Sequence, residues 1–123
     1  MIKVNIFYPN TEGGRFDLEY YLHIHMPMAI GKLGSSLRGV SIEHGVSGAQ
    51  PGTQPAYIVM CNYTFDSIEA FLAAFLPHAQ ALQGDILNYT DIEPVIQFSE
   101  IKMSQEEQTS IGDTVSCASL LRE

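Results

Sequence analysis

Basic side chains are scarce in this chain. Its 123 residues hold six Lys and Arg against fourteen Asp and Glu, a formal charge of −8 at neutral pH. Such a surface repels phosphates, which argues against nucleic acid and anionic membranes as partners. Residues 104–123 hold Glu106, Glu107, Asp113 and Glu123 against Arg122, so the body is acidic without them. Cysteine is almost as sparse. Cys61 and Cys117 lie far apart, Cys61 within an apolar run, and neither belongs to a CxxC or Cys/His cluster of the kind that binds zinc.

No run approaches the roughly 20 apolar residues of a membrane span. The opening MIKVNIFYPN alternates like a strand and lacks the apolar core of a signal peptide. A soluble cytoplasmic protein is the expectation. P-loop, GxGxxG, GxSxG and HExxH motifs are also missing, so nothing in the sequence asks for a nucleotide, a flavin or a bound metal. The expected cofactor is none.

What is present is a body that is 46% hydrophobic, ample for one ordinary core. The expected division is a folded domain over 1–103 and a polar acidic extension over 104–123. Ile2, Val4, Ile6 and Tyr8 mark a first strand by their period of two. After the loop PNTEGGR, Asp17 can cap a helix whose apolar stripe runs Leu18, Tyr21, Leu22 and His25. Pro27 biases Met26 away from the helical region, and a second helical piece, Met28 to Leu33, ends at Gly34.

Val40, Ile42 and His44 give a second strand, and Tyr57 to Phe65 a third, central one. Asp66 with Glu69 resembles a capping box ahead of the stripe Ile68, Phe71, Leu72, Phe75, Ala79 and Leu82, with a kink at Pro77 and an end at Gly84. Val95 to Met103 reads as a fourth strand. The order βαββαβ predicts an α+β, ferredoxin-like fold, a four-stranded antiparallel sheet with both helices on one face. Both faces of the strands read as fairly apolar, and a bare apolar sheet face usually marks an interface. A homodimer through that face is therefore expected.

The segment YYLHIHMP holds two of the four histidines. His25 shares the inward stripe, whereas His23 lies roughly 140° round from Leu18 at ~100° per residue, toward solvent. Helical metal-ligand pairs need i, i+3 or i, i+4 spacing, so the two do not form a joint site. His25 reads either as a core histidine bonded to a backbone carbonyl or as a general acid or base at a pocket wall. His44, in phase with Val40 and Ile42, can face the interior. His78 follows Pro77 at a kink that can aim it into a cavity opening. Tyr8, Tyr57, Tyr63 and Tyr89 offer rings and phenols for a pocket, or ordinary core contacts. Asp85 and Asp91 flank ILNYT and read first as turn or cap residues.

The segments GGRFDLEYYLHIHMP, IEHG, PGTQPAY, FDSIEAFLAAFLPH and GDILNYTDIEPVIQFSE together resemble the EthD family, which is named from a gene cluster for degrading ethyl tert-butyl ether. The resemblance runs from Ile2 to Met103. It implies a dimeric α/β barrel, in which two ferredoxin-like sheets pack face to face. Relatives in that superfamily include cofactor-free polyketide cyclases, muconolactone-type isomerases, monooxygenases and some haem proteins. Their ligand cavity commonly lies between helices and sheet, where His25 would sit. The function this implies is binding or cofactor-free acid–base chemistry on a small apolar organic molecule in an ether or xenobiotic catabolic pathway. Delivery of such a metabolite to an oxygenase is the alternative. Expected site residues are His25 as the proton carrier and Tyr8, Tyr63 and His78 as substrate contacts, with His44, Tyr57, Tyr89 and Asp91 as further candidates. No metal is expected; haem on His25, His44 or His78 is the cofactor alternative.

Overall fold

The computed structural model describes residues 1–105, and the expected extension beyond Gln105 lies outside the described residues. Strand β1 spans Ile2–Pro9, β2 Gly39–His44, β3 Tyr57–Phe65 and β4 Val95–Glu100. All pairings are antiparallel, in the order β2-β3-β1-β4. The first helical layer comprises α1 (Leu18–Tyr20), a π turn (Tyr21–His25), α2 (Met26–Leu33) and a 3₁₀ turn (Gly34–Ser36). The second comprises α3 (Ile68–Phe75), a 3₁₀ turn (Leu76–His78), α4 (Ala79–Gly84) and a 3₁₀ turn (Ile86–Asn88). This is the expected ferredoxin-like α+β arrangement. β4 stops at Glu100, short of the expected Met103.

Alternation along the strands sorts their two faces. Val4, Tyr8, Val59, Cys61, Tyr63 and Phe65 are buried against the helices. Burying each such large apolar side chain stabilises the fold by roughly 1.5–3 kcal/mol. The opposite face corrects an expectation: it is not predominantly apolar. Register sets Asn5 between Asn62 and Gln97, with Lys3, Thr64 and Ser99 one step along. Asn5 Nδ2 donates to the Gln97 carbonyl at 3.2 Å and to Ser99 Oγ at 2.9 Å. Phe7, Met60 and Val95 supply the apolar part of that surface. The strands looked apolar on both sides because registry, which aligns their polar positions, is not visible in any one of them.

Asp17 caps α1 as expected, accepting from the Tyr20 N–H at 3.1 Å. Asp66 does not cap α3. Ser67 does, accepting from the Ala70 N–H at 3.0 Å. Asp66 is instead taken by Arg38, whose guanidinium donates to both carboxylate oxygens at 2.9 and 3.2 Å. Gly34 ends α2 with φ of 68°, a conformation that favours glycine. The kink expected at Pro77 is the 3₁₀ turn Leu76–His78.

Met26 departs from expectation. It is helical, with φ −65° and ψ −42°, although Pro27 follows. A proline within a helix lacks an N–H and crowds the carbonyl four residues back. The preceding turn widens to accommodate this, with the Met26 N–H reaching the Tyr21 carbonyl five residues back. That π turn aligns Tyr21, His25, Ala29 and Leu33 as the buried line of the layer. Leu22, expected on the inward stripe, is turned outward and is 37% exposed.

Candidate functional site

Between the helices and the sheet lies a cavity of about 320 Å³, at the lower end of the ~300–1,000 Å³ typical of small-molecule sites. Val4, Ile6 and Phe98 form part of its floor, Leu33, Phe71 and Phe75 part of its walls, and His25, Tyr8, Tyr21, Tyr63 and Tyr89 its chemistry. Ile96 and Phe98 project from β4 on the helix side and remain partly exposed, so the cavity opens beside that edge strand.

His25 is 6% exposed. Its ring stacks on Tyr21, with centroids 5.6 Å apart and planes 11° apart, and meets the Tyr89 ring at 4.7 Å. Residues 21 and 25, four positions apart, lie on one line of the π turn. His25 Nδ1 lies 2.9 Å from Asp85 Oδ2. Asp85 Oδ1 accepts from the Tyr20 hydroxyl at 2.7 Å and from Asn88 Nδ2 at 2.8 Å. Burial works to raise the Asp85 pKa. The hydrogen bonds from Tyr20, Asn88 and His25, with the His25 charge, outweigh it and hold the carboxyl below its ordinary value.

An ionised carboxylate only accepts, so the proton between the pair belongs to His25 Nδ1, and in the neutral ring Nε2 carries the lone pair. Nε2 has no protein partner among the described residues, yet none of their side-chain polar atoms is both sealed from solvent and unpartnered. Nε2 therefore opens on the cavity that His25 lines. The result is a base with one nitrogen anchored and the other facing an apolar volume.

The phenols surround this base. Tyr8 and Tyr89 hydroxyls are hydrogen-bonded to each other at 2.8 Å. Tyr63 donates to Met26 Sδ at 3.5 Å, and the Cys61 thiol lies against both Tyr21 and Tyr63. Burial pushes the Tyr8 phenol up to about 12 and raises Tyr21, Tyr63 and Tyr89 further. All four remain protonated near neutral pH. Phe16, Tyr8, Tyr21 and Tyr89 pack mostly edge to face at 4.8–6.2 Å, each such pair contributing about 0.5–1.5 kcal/mol beyond its burial.

Of the expected site residues, the structure gathers His25, Tyr8, Tyr63 and Tyr89 around one cavity. The others lie elsewhere. His44 does not face the interior: it is exposed at the end of edge strand β2, opposite Val59, where no helix covers it. His78 is half-buried in its 3₁₀ turn and does not line the cavity. Tyr57 packs on Phe7 at 5.3 Å, also outside the cavity. Asp91 is exposed and accepts from the Arg15 backbone N–H at 2.8 Å, pinning the loop before α1. His23 is exposed, 3.2 Å from Glu19.

Asp85, Tyr20, Asn88 and Tyr21 are the members that sequence reasoning missed. Asp85 follows Gly84 at the end of α4, where a turn residue was expected. The available signal was the need of a buried imidazole for an acidic partner, which does not say which carboxylate supplies it. Among the described residues no group of three or more His, Cys, Asp and Glu side chains is placed to hold a metal ion. No helix among them is long and apolar enough to cross a membrane.

Residues 15–93 match the EthD domain. An EthD-like protein from Ralstonia eutropha JMP134 is similar in structure, with TM-score 0.82 and 46% identity over 87% of this chain and 96% of that one. An EthD (ethyl tert-butyl ether D) family protein from Bacillus halodurans C-125 shares the fold, with TM-score 0.63 and 21% identity over 82% of this chain and 98% of that one. Among curated proteins none matches. The matched segment spans both helical layers, strands β2 and β3 and the His25–Asp85 pair, and the chain belongs to the EthD family.

Proposed function

We propose that this protein binds a small apolar organic molecule in the cavity and moves a proton on it through His25, without a cofactor. The observation carrying this reading is the 2.9 Å contact between His25 Nδ1 and Asp85, which leaves Nε2 as a lone base in an apolar enclosure. Such proton transfer is typically worth ~10²–10⁴ in rate. The name of one structural neighbour supports a setting in ether or xenobiotic catabolism. An unactivated dialkyl ether offers a base no acidic proton, so the molecule acted on is a downstream intermediate rather than the ether. The protein works as a cytoplasmic homodimer through the bare sheet face, where Phe7, Met60 and Val95 supply apolar contact and the Asn5 ladder supplies polar contact. Light scattering showing a monomer at micromolar concentration would remove the dimer from this account.

The test is mass spectrometry of small molecules released on denaturing the purified protein, followed by turnover of the recovered compound. His25→Ala should bind it and lose turnover. Full activity in His25→Ala would refute the assignment. Binding without turnover in either protein would favour delivery of a hydrophobic metabolite to an oxygenase, a reading supported by the apolar walls alone. Haem is tested by adding haemin. Of the three histidines considered for it, only His25 reaches enclosed space, and its Nδ1 is held by Asp85. A Soret band that disappears in His25→Ala would replace the cofactor-free reading.

A further inference from the structure

The cavity's hydroxyl groups can be accounted for one by one. Tyr63 spends its proton on Met26 Sδ, and Tyr21 lies against the Cys61 thiol. Tyr8 and Tyr89 bring two O–H protons to the single hydrogen bond between them, at 2.8 Å. Either oxygen can be the donor in that bond. Whichever donates, the other's proton is left over, and neither oxygen has another partner among the described residues. Both tyrosines line the cavity, and the Tyr89 ring lies 4.7 Å from that of His25. The cavity thus holds a spare phenol donor of the Tyr8–Tyr89 pair beside a free acceptor, His25 Nε2.

We infer that the Tyr8–Tyr89 pair is the oxygen-recognition site of this cavity, donating its spare hydrogen bond to the carbonyl oxygen of an apolar, enolisable ketone or aldehyde whose α-proton His25 removes. This rests on the proton-transfer reading of the cavity and names its substrate class. In the step, Nε2 takes a proton from the carbon next to the carbonyl. The C–H electron pair becomes a C=C bond, and the carbonyl π pair moves to oxygen as an enolate held by the phenol. Return of the proton from His25 to the same or another carbon restores the base, with no net oxidation and no second reactant. A ligand lacking an acceptor oxygen would leave the spare phenol proton unpartnered in an apolar site, a recognised source of discrimination.

The pair also has built-in redundancy. Tyr8→Phe frees the Tyr89 proton for the ligand, and Tyr89→Phe frees that of Tyr8, whereas Y8F/Y89F removes both phenols of the pair. The double variant replaces both partners by apolar groups of the same shape, which can be nearly neutral for stability. The test is exchange of cyclohexanone α-hydrogens for deuterium in D₂O, followed by NMR, with methylcyclohexane binding measured beside it. Each single variant should stay within about threefold of wild type, while Y8F/Y89F should lose about 10²-fold; His25→Ala should fall to the uncatalysed rate. The wild type should bind methylcyclohexane. Wild-type exchange that survives in Y8F/Y89F, or single variants that fall as far as the double, would overturn the inference and leave the role of His25 standing. No exchange by the wild type also overturns it, and methylcyclohexane binding then shows whether the cavity reading beneath it fails as well.

Discussion

His25 and Asp85 are 60 residues apart in the chain and 2.9 Å apart in space, joined across the gap between the two helical layers. Asp85→Asn keeps the shape but replaces an acceptor-only group with one that can also donate. The imidazole proton should then move to Nε2, removing the free base. Nitrogen-15 NMR of the histidine ring should show the Nδ1–H tautomer in the wild type and a shift toward Nε2–H in Asp85→Asn. Cyclohexanone exchange should drop by about 10²–10⁴. Unchanged ring shifts would show that Asp85 does not set the tautomer.

The same carboxylate links stability to pH. Its pKa is lower folded than unfolded, because burial is outweighed by hydrogen bonds from Tyr20, Asn88 and His25. The unfolded chain therefore binds more protons as pH falls through this range. The stabilisation is fully present above the ordinary aspartate value of 3.8 and is lost as pH drops through the lower folded value. Urea unfolding midpoints should fall below about pH 4 in the wild type and fall less steeply in Asp85→Asn. At neutral pH, losing the charged hydrogen bonds should cost about 1.5–3 kcal/mol.

Cys61 should be chemically silent in the native state. It is fully buried, and burial raises its thiol to about 11, with the Tyr21 and Tyr63 hydroxyls only partly offsetting this. Only the thiolate reacts appreciably. In a Cys117→Ser background, Ellman's reagent at pH 8 should label nothing until urea unfolds the protein, then one thiol per chain. Rapid native labelling would mean that the central strand opens readily.

Two glycines should respond in opposite directions to alanine. At Gly45 a β-carbon would strike the Tyr57 carbonyl and the Pro55 ring, so Gly45→Ala should cost about 1–3 kcal/mol. At Gly31, inside α2, a β-carbon meets nothing within 4 Å. Gly31→Ala should stabilise by about 0.5–1 kcal/mol by restricting the unfolded chain. Thermal melts of the two variants check both signs.

Strand and helix order was legible because burial on one face imprints a period of two or 3.6 on the chain, as in Val4–Ile6–Tyr8 and Val59–Cys61–Tyr63. Inward placement of His25 was legible for the same reason, though its neighbours were not. A regular helix would have put Leu22 inside; beside the π turn ahead of Pro27 it is turned out, while Tyr21 and His25, four apart, stack on one line. His44 kept strand phase yet ended up exposed, because phase gives a face and not whether a helix covers it.

The sequence by itself determined the βαββαβ order, the acidic surface and one inward histidine, since each follows from composition or local spacing. Only the tertiary structure decided that Asp85 holds that histidine, that Tyr8 and Tyr89 share one hydrogen bond, and that a polar ladder runs across the bare sheet face. Those outcomes depend on long-range packing and strand register, which bring residues 60 to 94 positions apart into contact and which no local pattern encodes.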